Sequence, residues 1–399
     1  MKKILFLAFV LLFLTKTEAQ WQKTNCPDIN SIYSVALKGN FIFAGTADNM
    51  FLTPDRGNNW NISYNGLPYL GNFFSTLVKG SIIFVGTDDG VYISTNNADT
   101  FALASNCSCP NVIQMLFHGS DIYVITSGLN KGIFRSPDNG ISWTKLSNNL
   151  PMDVYNIYCI SFNGNDILLG TDAGFLISAN DGLTWTPKNN GLPGFRVHSI
   201  GVNGTVLFAG TESGIYRSLD TAANWTSASA GLPNNYWVGS ILTIANRLVI
   251  GGPYGGGCYV SDNNGDTWLD NSNGLSSMQT LAFEYTADTI YVGTGAVPTF
   301  YTGGLYKRPL SELVSLPEKE GINDFEVFPN PTEAILNISG SYLVRGYDFS
   351  ISNINGQLLL DGKVKKMQTQ IDLSSYPAGI YFLKLEGEKD RVVKKIIKY

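Results

Sequence analysis

Apolar and polar residues alternate in short runs through most of the chain, and the breaks between runs are rich in Gly, Asn and Asp. The stretch from Val197 to the strand starting at Trp225 shows the unit. "VHSIGVN" is followed by a turn, then "VLFAGT", a turn, "GIYRS", another turn, and a last run opening on the Trp. Alternation with a period of two predicts half-buried strands, and Gly, Asn and Asp between them predict tight hairpins. The middle run recurs as "FIFAGTADNMFLT", "IIFVGTDDGVYIS", "ILLGTDAGFLIS" and, more loosely, "IYVITSGLNKGIFRS", "LVIGGPYGGGCYVS" and "IYVGTGAVPTFYTGGLYKR".

A second marker runs in phase. "SPDNGISW" (Ser136 to Trp143) has looser copies in "TPDRGNNW", "STNNADTF", "SANDGLTW", "SLDTAANW" and "SDNNGDTW". The closing aromatics are Trp60, Phe101, Trp143, Trp185, Trp225 and Trp268, at steps of 41, 42, 42, 40 and 43 residues. Four strands in a unit of about 40 residues predict propeller blades. There are seven Gly-Thr-type units but six turn copies, and the seventh unit stops at "GLYKRPL" without a fourth strand. "WQKTNCP" (Trp21 to Pro27) matches the outer strand that follows each Trp, so the N-terminal strand is expected to complete the last blade, removing an open edge. The fold class expected is all-β: a seven-bladed β-propeller over residues 20–310, then a small C-terminal β-sandwich.

Composition narrows the setting. Charged residues are 15%, below the usual figure of about 25%, and Gly numbers 42. A net charge of -5 speaks against nucleic acid as a partner. Residues 1–19 read as a secretory signal peptide, with two lysines, an apolar run from Ile4 to Leu14, and Thr17 and Ala19 before the cut. That run is too short to span a membrane, and no other segment predicts a transmembrane helix. Export permits disulfides among Cys26, Cys107, Cys109, Cys159 and Cys258, whose odd number leaves a thiol over. "CSC" invites a metal or redox reading, but with only His118 and His198 in the chain no metal site and no cofactor are expected.

In each turn copy the acidic or amide residue (Asp55, Asn96, Asp138, Asn180, Asp220, Asn263) can accept from backbone N–H groups of its own turn. The Gly allows positive φ, and Trp60, Trp143, Trp185, Trp225 and Trp268 can pack between blades. Six equivalent positions around a ring suit a structural role rather than a catalytic one, and no catalytic residues are assigned. The motif resembles the Asp-box, or bacterial neuraminidase repeat. The propeller is similar to the seven-bladed Asp-box proteins related to photosystem-assembly and stability factors. That resemblance implies that the boxes lie away from the usual ligand face.

Residues 311–324 read as a linker. Beyond it, "FPNPT", "NGQ", "SSYPAGIYFLK" and "KKIIKY" occur in order, and Asn355-Gly356 reads as a hairpin turn. Residues 325–399 resemble the C-terminal sorting domain of the type IX secretion system. The resemblance implies a Bacteroidetes-like source, the secretion machinery as a partner, and display at the cell surface or release outside the cell.

The sialidases that share the repeat need an arginine triad, a Tyr nucleophile with a Glu, and an acidic proton donor. Of the propeller arginines, Arg135 and Arg217 share a repeat slot, Arg56 lies in a box turn, Arg308 ends the last unit, and Arg196 and Arg247 stand outside obvious slots. On the innermost strands Ser34, Ser75, Gln114, Cys159, Ser199 and Ser240 share one slot, with Thr280 expected there in the last unit. The loops between blades and between second and third strands should share one face. They offer Phe73, Phe195, Tyr254, Phe300 and Tyr301 and, as candidate ligand-binding residues, Trp237, Tyr236, Arg196, His198, Tyr155 and Tyr69; Trp237 is the Trp that fits no repeat slot. The expected function is binding of a glycan, peptide or envelope protein, with a glycoside hydrolase as the alternative.

Overall fold

A computed structural model of the chain describes residues 20–27, 31–63, 65–68, 71–128, 131–194, 196–254, 256–295, 303–313, 325–340, 347–353, 357–364, 368–386 and 391–399. The chain divides into two compact units, Met1–Ser315 and Leu316–Tyr399.

The first unit is a seven-bladed β-propeller of seven four-stranded antiparallel sheets. The inner strands of blades 1 to 7 are Ile32–Lys38, Phe73–Lys79, Val112–His118, Ile157–Asn163, Val197–Asn203, Ser240–Ile244 and Thr280–Tyr285. Second strands are packed on both sides: in Val206–Thr211, the side chains of Leu207, Phe208 and Ala209 are fully covered. Burying each such Leu or Phe is worth about 1.5–3 kcal/mol. The Gly of the Gly-Thr marker allows neighbouring blades to close up. A Cβ on Gly45 would lie 2.4 Å from Phe73 O of the next blade, and one on Gly170 2.4 Å from Val197 O.

The slot residues opposite these glycines join blade to blade. Ser34 Oγ donates to Phe73 O at 3.1 Å, Ser199 Oγ to Val238 O at 3.0 Å, and Ser75 Oγ accepts from Met115 N at 2.9 Å. Gln114 Oε1 does the same for Ile160 N at 2.8 Å. In blade 7 the expectation of Thr280 in this slot is corrected. Ala282 lies opposite Gly293 as Ser34 lies opposite Gly45, after the bulge that the first five blades also have, and Thr280 takes the place of Ile32, bonding Gly252 N and Gly257 O of blade 6.

Blade 7 takes its outer strand from the N-terminus: Gln22 pairs with Lys307 and Lys23 with Tyr306. Trp21 sits there as Trp225 and Trp268 sit in blades 5 and 6. Its backbone N donates to Asn273 O at 2.9 Å, as Trp225 N does to Asn190 O and Trp268 N to Ala230 O, both at 2.9 Å. Its Nε1 reaches Asn271 O at 2.6 Å, matching Trp225 to Lys188 O at 2.8 Å and Trp268 to Ala228 O at 2.7 Å. Gly191, Gly231 and Gly274 lie under these backbones at φ near +90°, where a Cβ would come within 2.1, 2.4 and 2.4 Å of the Trp carbonyls.

The box turns share one bonding scheme. In the turn of blade 3, Ser136 Oγ donates to Asp138 Oδ1 at 2.9 Å and accepts from Gly140 N at 2.7 Å, while Ser142 N donates to Asp138 Oδ1 at 2.8 Å. The same three bonds recur from Ser178, Asn180, Gly182 and Thr184 in blade 4. Positive φ is not confined to the Gly. The residue before it is also left-handed, as at Asn139 (φ 59°) and Asp181 (φ 54°), and Ala98 and Ala222 take the Gly position at φ 73° and 61°. The Trp side chains divide into two groups: Trp60 and Trp143 donate back to their own turns at Gly57 O and Gly140 O, whereas Trp225 and Trp268 donate to the preceding blade. Trp185 Nε1 is buried without a partner.

The second unit is a β-sandwich. One sheet orders Phe325–Phe328, Ile335–Gly340 and Gln368–Asp372; the other orders Leu358–Lys363, Asp348–Asn353, Gly379–Glu386 and Arg391–Lys398. Alternate residues Leu336, Ile338, Ile351, Leu383, Leu385 and Ile396 fill the space between them. The Asn355-Gly356 turn and most of the linker lie outside the described residues.

Candidate functional site at the loop face

Each inner strand begins beside the end of its second strand, as in Val197 opposite Thr211. The inter-blade loops and the turns between second and third strands therefore share one face of the propeller. Its centre is a channel of 400 Å³ lined by all seven inner strands.

At the mouth of the channel, on blades 4 to 6, lies a row of rings. Tyr158 meets His198 at 4.5 Å between centroids, His198 meets Trp237 at 4.7 Å, and Trp237 meets Tyr254 at 4.6 Å, tilted by 35°, 43° and 40°. Tyr254 is exposed, Trp237 is half-buried, and Trp237 comes from the loop before the blade 6 inner strand. Gly239 permits this arrangement, since a Cβ there would lie 2.7 Å from Pro253 Cδ in the neighbouring turn.

Glu212 ties the row to a cation. Its Oε1 accepts from Arg196 Nη1 at 3.1 Å and lies 3.3 Å from His198 Nε2. In blades 2 and 4 the matching turn residue is an Asp that holds backbone: Asp88 accepts from Asn72 N, and Asp172 from Tyr155 N and Asn156 N. Both also accept from the Nδ2 of that Asn, whereas the longer Glu212 reaches a guanidinium and a His ring. The Arg196 hydrogen bond holds the Glu212 carboxyl below its ordinary range. Burial pushes His198 down against the opposing pull of Glu212, which favours the neutral ring. Arg196 keeps 59% of its side chain exposed. A charged fork at the edge of an aromatic ledge can stack a flat apolar face and grip an oxygen acceptor together.

The sequence-predicted candidates do not all converge. Arg196, His198 and Trp237 do. Tyr236 is corrected: its ring is buried and its hydroxyl donates to Gly257 O at 2.8 Å, so it presents nothing to a ligand. Tyr155 is exposed but separate, with Lys131 Nζ 5.9 Å from its ring centroid. Tyr69 lies outside the described residues. Arg247, expected to stand free of the repeat, is structural; it donates to Asp262 at 2.6 Å and to Leu310 O at 3.2 Å. Arg308 is buried, bound to Asn271 Oδ1 and Glu312 O. Tyr158 and Tyr254 complete the ledge with His198 and Trp237. Tyr158 occupies the second position of its inner strand, as do Tyr33, Phe74 and His198, one residue before the polar slot, and that offset is a signal the sequence carries.

Deeper in the channel, Glu284 is the one carboxylate among the described lining residues. It stands level with Ala36, Leu77, Leu116, Ser161 and Gly201 of other blades. Burial raises its pKa. Among the described residues no cluster of His, Cys, Asp and Glu could hold a metal. Cys107 and Cys109 form a disulfide, and Cys26, Cys159 and Cys258 are buried and take no part in it; burial pushes the Cys159 thiol up to about 12.

The family model described as the secretion system C-terminal sorting domain matches residues 326–399. The C-terminal unit is a secretion system C-terminal sorting domain. The sorting domain directs export through the type IX secretion system to the cell surface or the extracellular space, and no described helix is long and apolar enough to cross a membrane. No curated protein matches the chain in sequence. Among solved structures, the chain resembles the extracellular domain of BT4673 from B. thetaiotaomicron, with a TM-score of 0.61 and 15% identity over 94% of this chain and 52% of that one. It also resembles PorZ, a surface component of the type IX secretion system of Porphyromonas gingivalis, with a TM-score of 0.53 and 16% identity over 93% and 59%. YCF48 bound to D1 peptide gives a TM-score of 0.56 and 15% identity over 72% of this chain and 96% of that one. The chain therefore spans about half the length of the first and less than two thirds of the second. At these identities the likeness is one of fold; it covers nearly the whole chain in the first two and about three quarters of it in YCF48.

Proposed function

We propose that the propeller is a binding module, delivered by its sorting domain to the cell surface or the medium, and that it takes a glycan across the loop face. On this reading residues 1–19 leave as a signal peptide, residues 311–324 link the two units, and the repeated turns are Asp-boxes with a structural role. The observation that carries the proposal is the row Tyr158, His198, Trp237 and Tyr254 with Arg196 at its edge, which extends the ring position of the inner strands by the loop residues Trp237 and Tyr254. A pyranose ring offers a flat C–H face to such a ledge, its hydroxyls suit Arg196 and Glu212, and a uronate carboxylate suits Arg196. A peptide is the second reading, supported by the peptide-bound state of YCF48, whose fold is shared. A glycan array probed with the full chain tests the proposal. Binding that Trp237→Ala removes supports it; an array with no hit, or hits that Trp237→Ala keeps, sinks it.

A further inference from the structure

The face opposite the loops, where the repeated turns lie, carries a cleft of 520 Å³ between blades 3 and 4. Its origin is visible when successive blade interfaces are laid side by side. From blade 1, Lys38 at the end of the inner strand donates to Asn97 Oδ1 in the turn of blade 2. From blade 2, Lys79 in the same position donates to Asn139 Oδ1 at 2.8 Å and Ser120 O at 2.9 Å, its ammonium 5.9 Å from the Phe117 centroid. Each lysine thus fills the gap between its own blade and the next.

At the third interface the acceptors remain and the donor is missing. Asp181 takes the turn position of Asn97 and Asn139, with the same left-handed backbone (φ 54°, against 61° and 59°). Asn165 takes the hairpin position of Ser120, and Phe162 that of Phe117. The residue in the lysine position is His118, which lies flat on Phe162 at 3.9 Å and 6° and reaches no further. Arg135 is committed to Asp121, to which both Nε and Nη2 donate at 2.6 Å, and its approach to Asp181 is 3.9 Å. Asp181 keeps 67% of its side chain exposed. The cleft keeps the acceptor positions of the two filled copies, with a carboxylate where they have an amide and a His where they have a lysine.

We propose that this cleft receives the lysine side chain of a partner polypeptide, which supplies from outside what Lys38 and Lys79 supply from within. The occupant is read from the filled copies: both are filled by a lysine side chain lying across the gap between two blades, Lys38 to Asn97 and Lys79 to Asn139. This site is independent of the loop-face ledge, so either can fail without the other.

The test is a saturation-transfer NMR titration of the full chain with N-acetyl-lysine methylamide, beside N-acetyl-norleucine methylamide and glucosamine. The lysine probe is expected to bind with its ε-methylene in closest contact, and the norleucine probe not to bind. His118→Lys puts an internal ammonium into the cleft. It should abolish probe binding while melting no lower than wild type. Asp181→Asn restores the acceptor of the filled copies and should weaken binding about fivefold through loss of the charge; it also serves if His118→Lys folds poorly. Equal binding of norleucine, tighter binding of glucosamine, or wild-type binding by a folded His118→Lys protein would overturn the proposal.

Discussion

The two faces of the propeller are built from the same repeats and behave in opposite ways. On the turn face, Ser136, Asp138 and Gly140 make bonds that Ser178, Asn180 and Gly182 make again one blade on, nearly to the tenth of an ångström. On the loop face the matching positions diverge: Asp88 and Asp172 tie backbone, and Glu212 ties Arg196 and His198. Residues that recur once per blade answer a demand every blade makes, which is closing a turn and packing on a neighbour. Residues that break the pattern answer no such demand, and they gather around the channel mouth. His118 shows that the turn face has its own exception.

The largest disturbance of this contrast should come from the one outer strand that is not local. Deleting residues 21–27 leaves blade 7 with three strands and an exposed edge. The melting temperature should fall by roughly 10 °C or more, since removing a buried Trp alone costs about 3–5 kcal/mol. Calorimetry showing an unchanged transition would mean that the ring does not depend on its closure.

Next in size is Trp237→Ala, which tests whether a pattern-breaking residue acts in binding. Affinity for a ligand found on the array should drop by about 2 kcal/mol, as for a central aromatic anchor, while the melting temperature moves little. The reverse result would make Trp237 part of the scaffold.

Ser136→Ala tests the repeated residue. The buried Gly140 N–H loses its acceptor, which should cost about 1–2 kcal/mol in urea unfolding and leave ligand affinity unchanged. Loss of binding without loss of stability would erase the division between the faces.

The smallest effects are in pH. Hydrogen bonds from the turn hold Asp55 and Asp220 at about 2, below their unfolded values. Their contribution to stability is present above about pH 4 and fades as pH falls toward about 2. Glu284 has the opposite sign: burial raises its pKa, so its charged form weighs against folding as pH rises. Glu284→Gln should raise the melting temperature slightly at pH 8 and not at pH 4. A larger gain at pH 4 would contradict the desolvation argument.

The blade period is plain in the sequence because turn chemistry is local: Ser, Asp and Gly at fixed offsets determine their own bonds. The propeller and the sandwich follow from that pattern and from clean alternation. The loop face was only partly legible. Trp237 stood out because it fitted no slot, but Tyr236, its neighbour, points into the core, and nothing in a single sequence separates the two. Arg247 looked free because its partners, Asp262 and Leu310, come from a neighbouring turn and from the next blade. Ala282 rather than Thr280 faces Gly293 because blade 7 keeps the spacing of eleven residues and the bulge of the first five blades, with no insertion between them.

The bond from Trp21 to Asn271 O joins residues 250 positions apart. A strand made first is therefore used last, and six blades can be assembled by neighbour contacts before the ring has any means of shutting. Long-range pairing of this kind is slow, because chain entropy is spent before the contact repays it. The ends of the first unit thus act as a clasp. Any contact that keeps residues 21–27 away from blade 7 leaves its outer edge unpaired, and the ring closes when they are released.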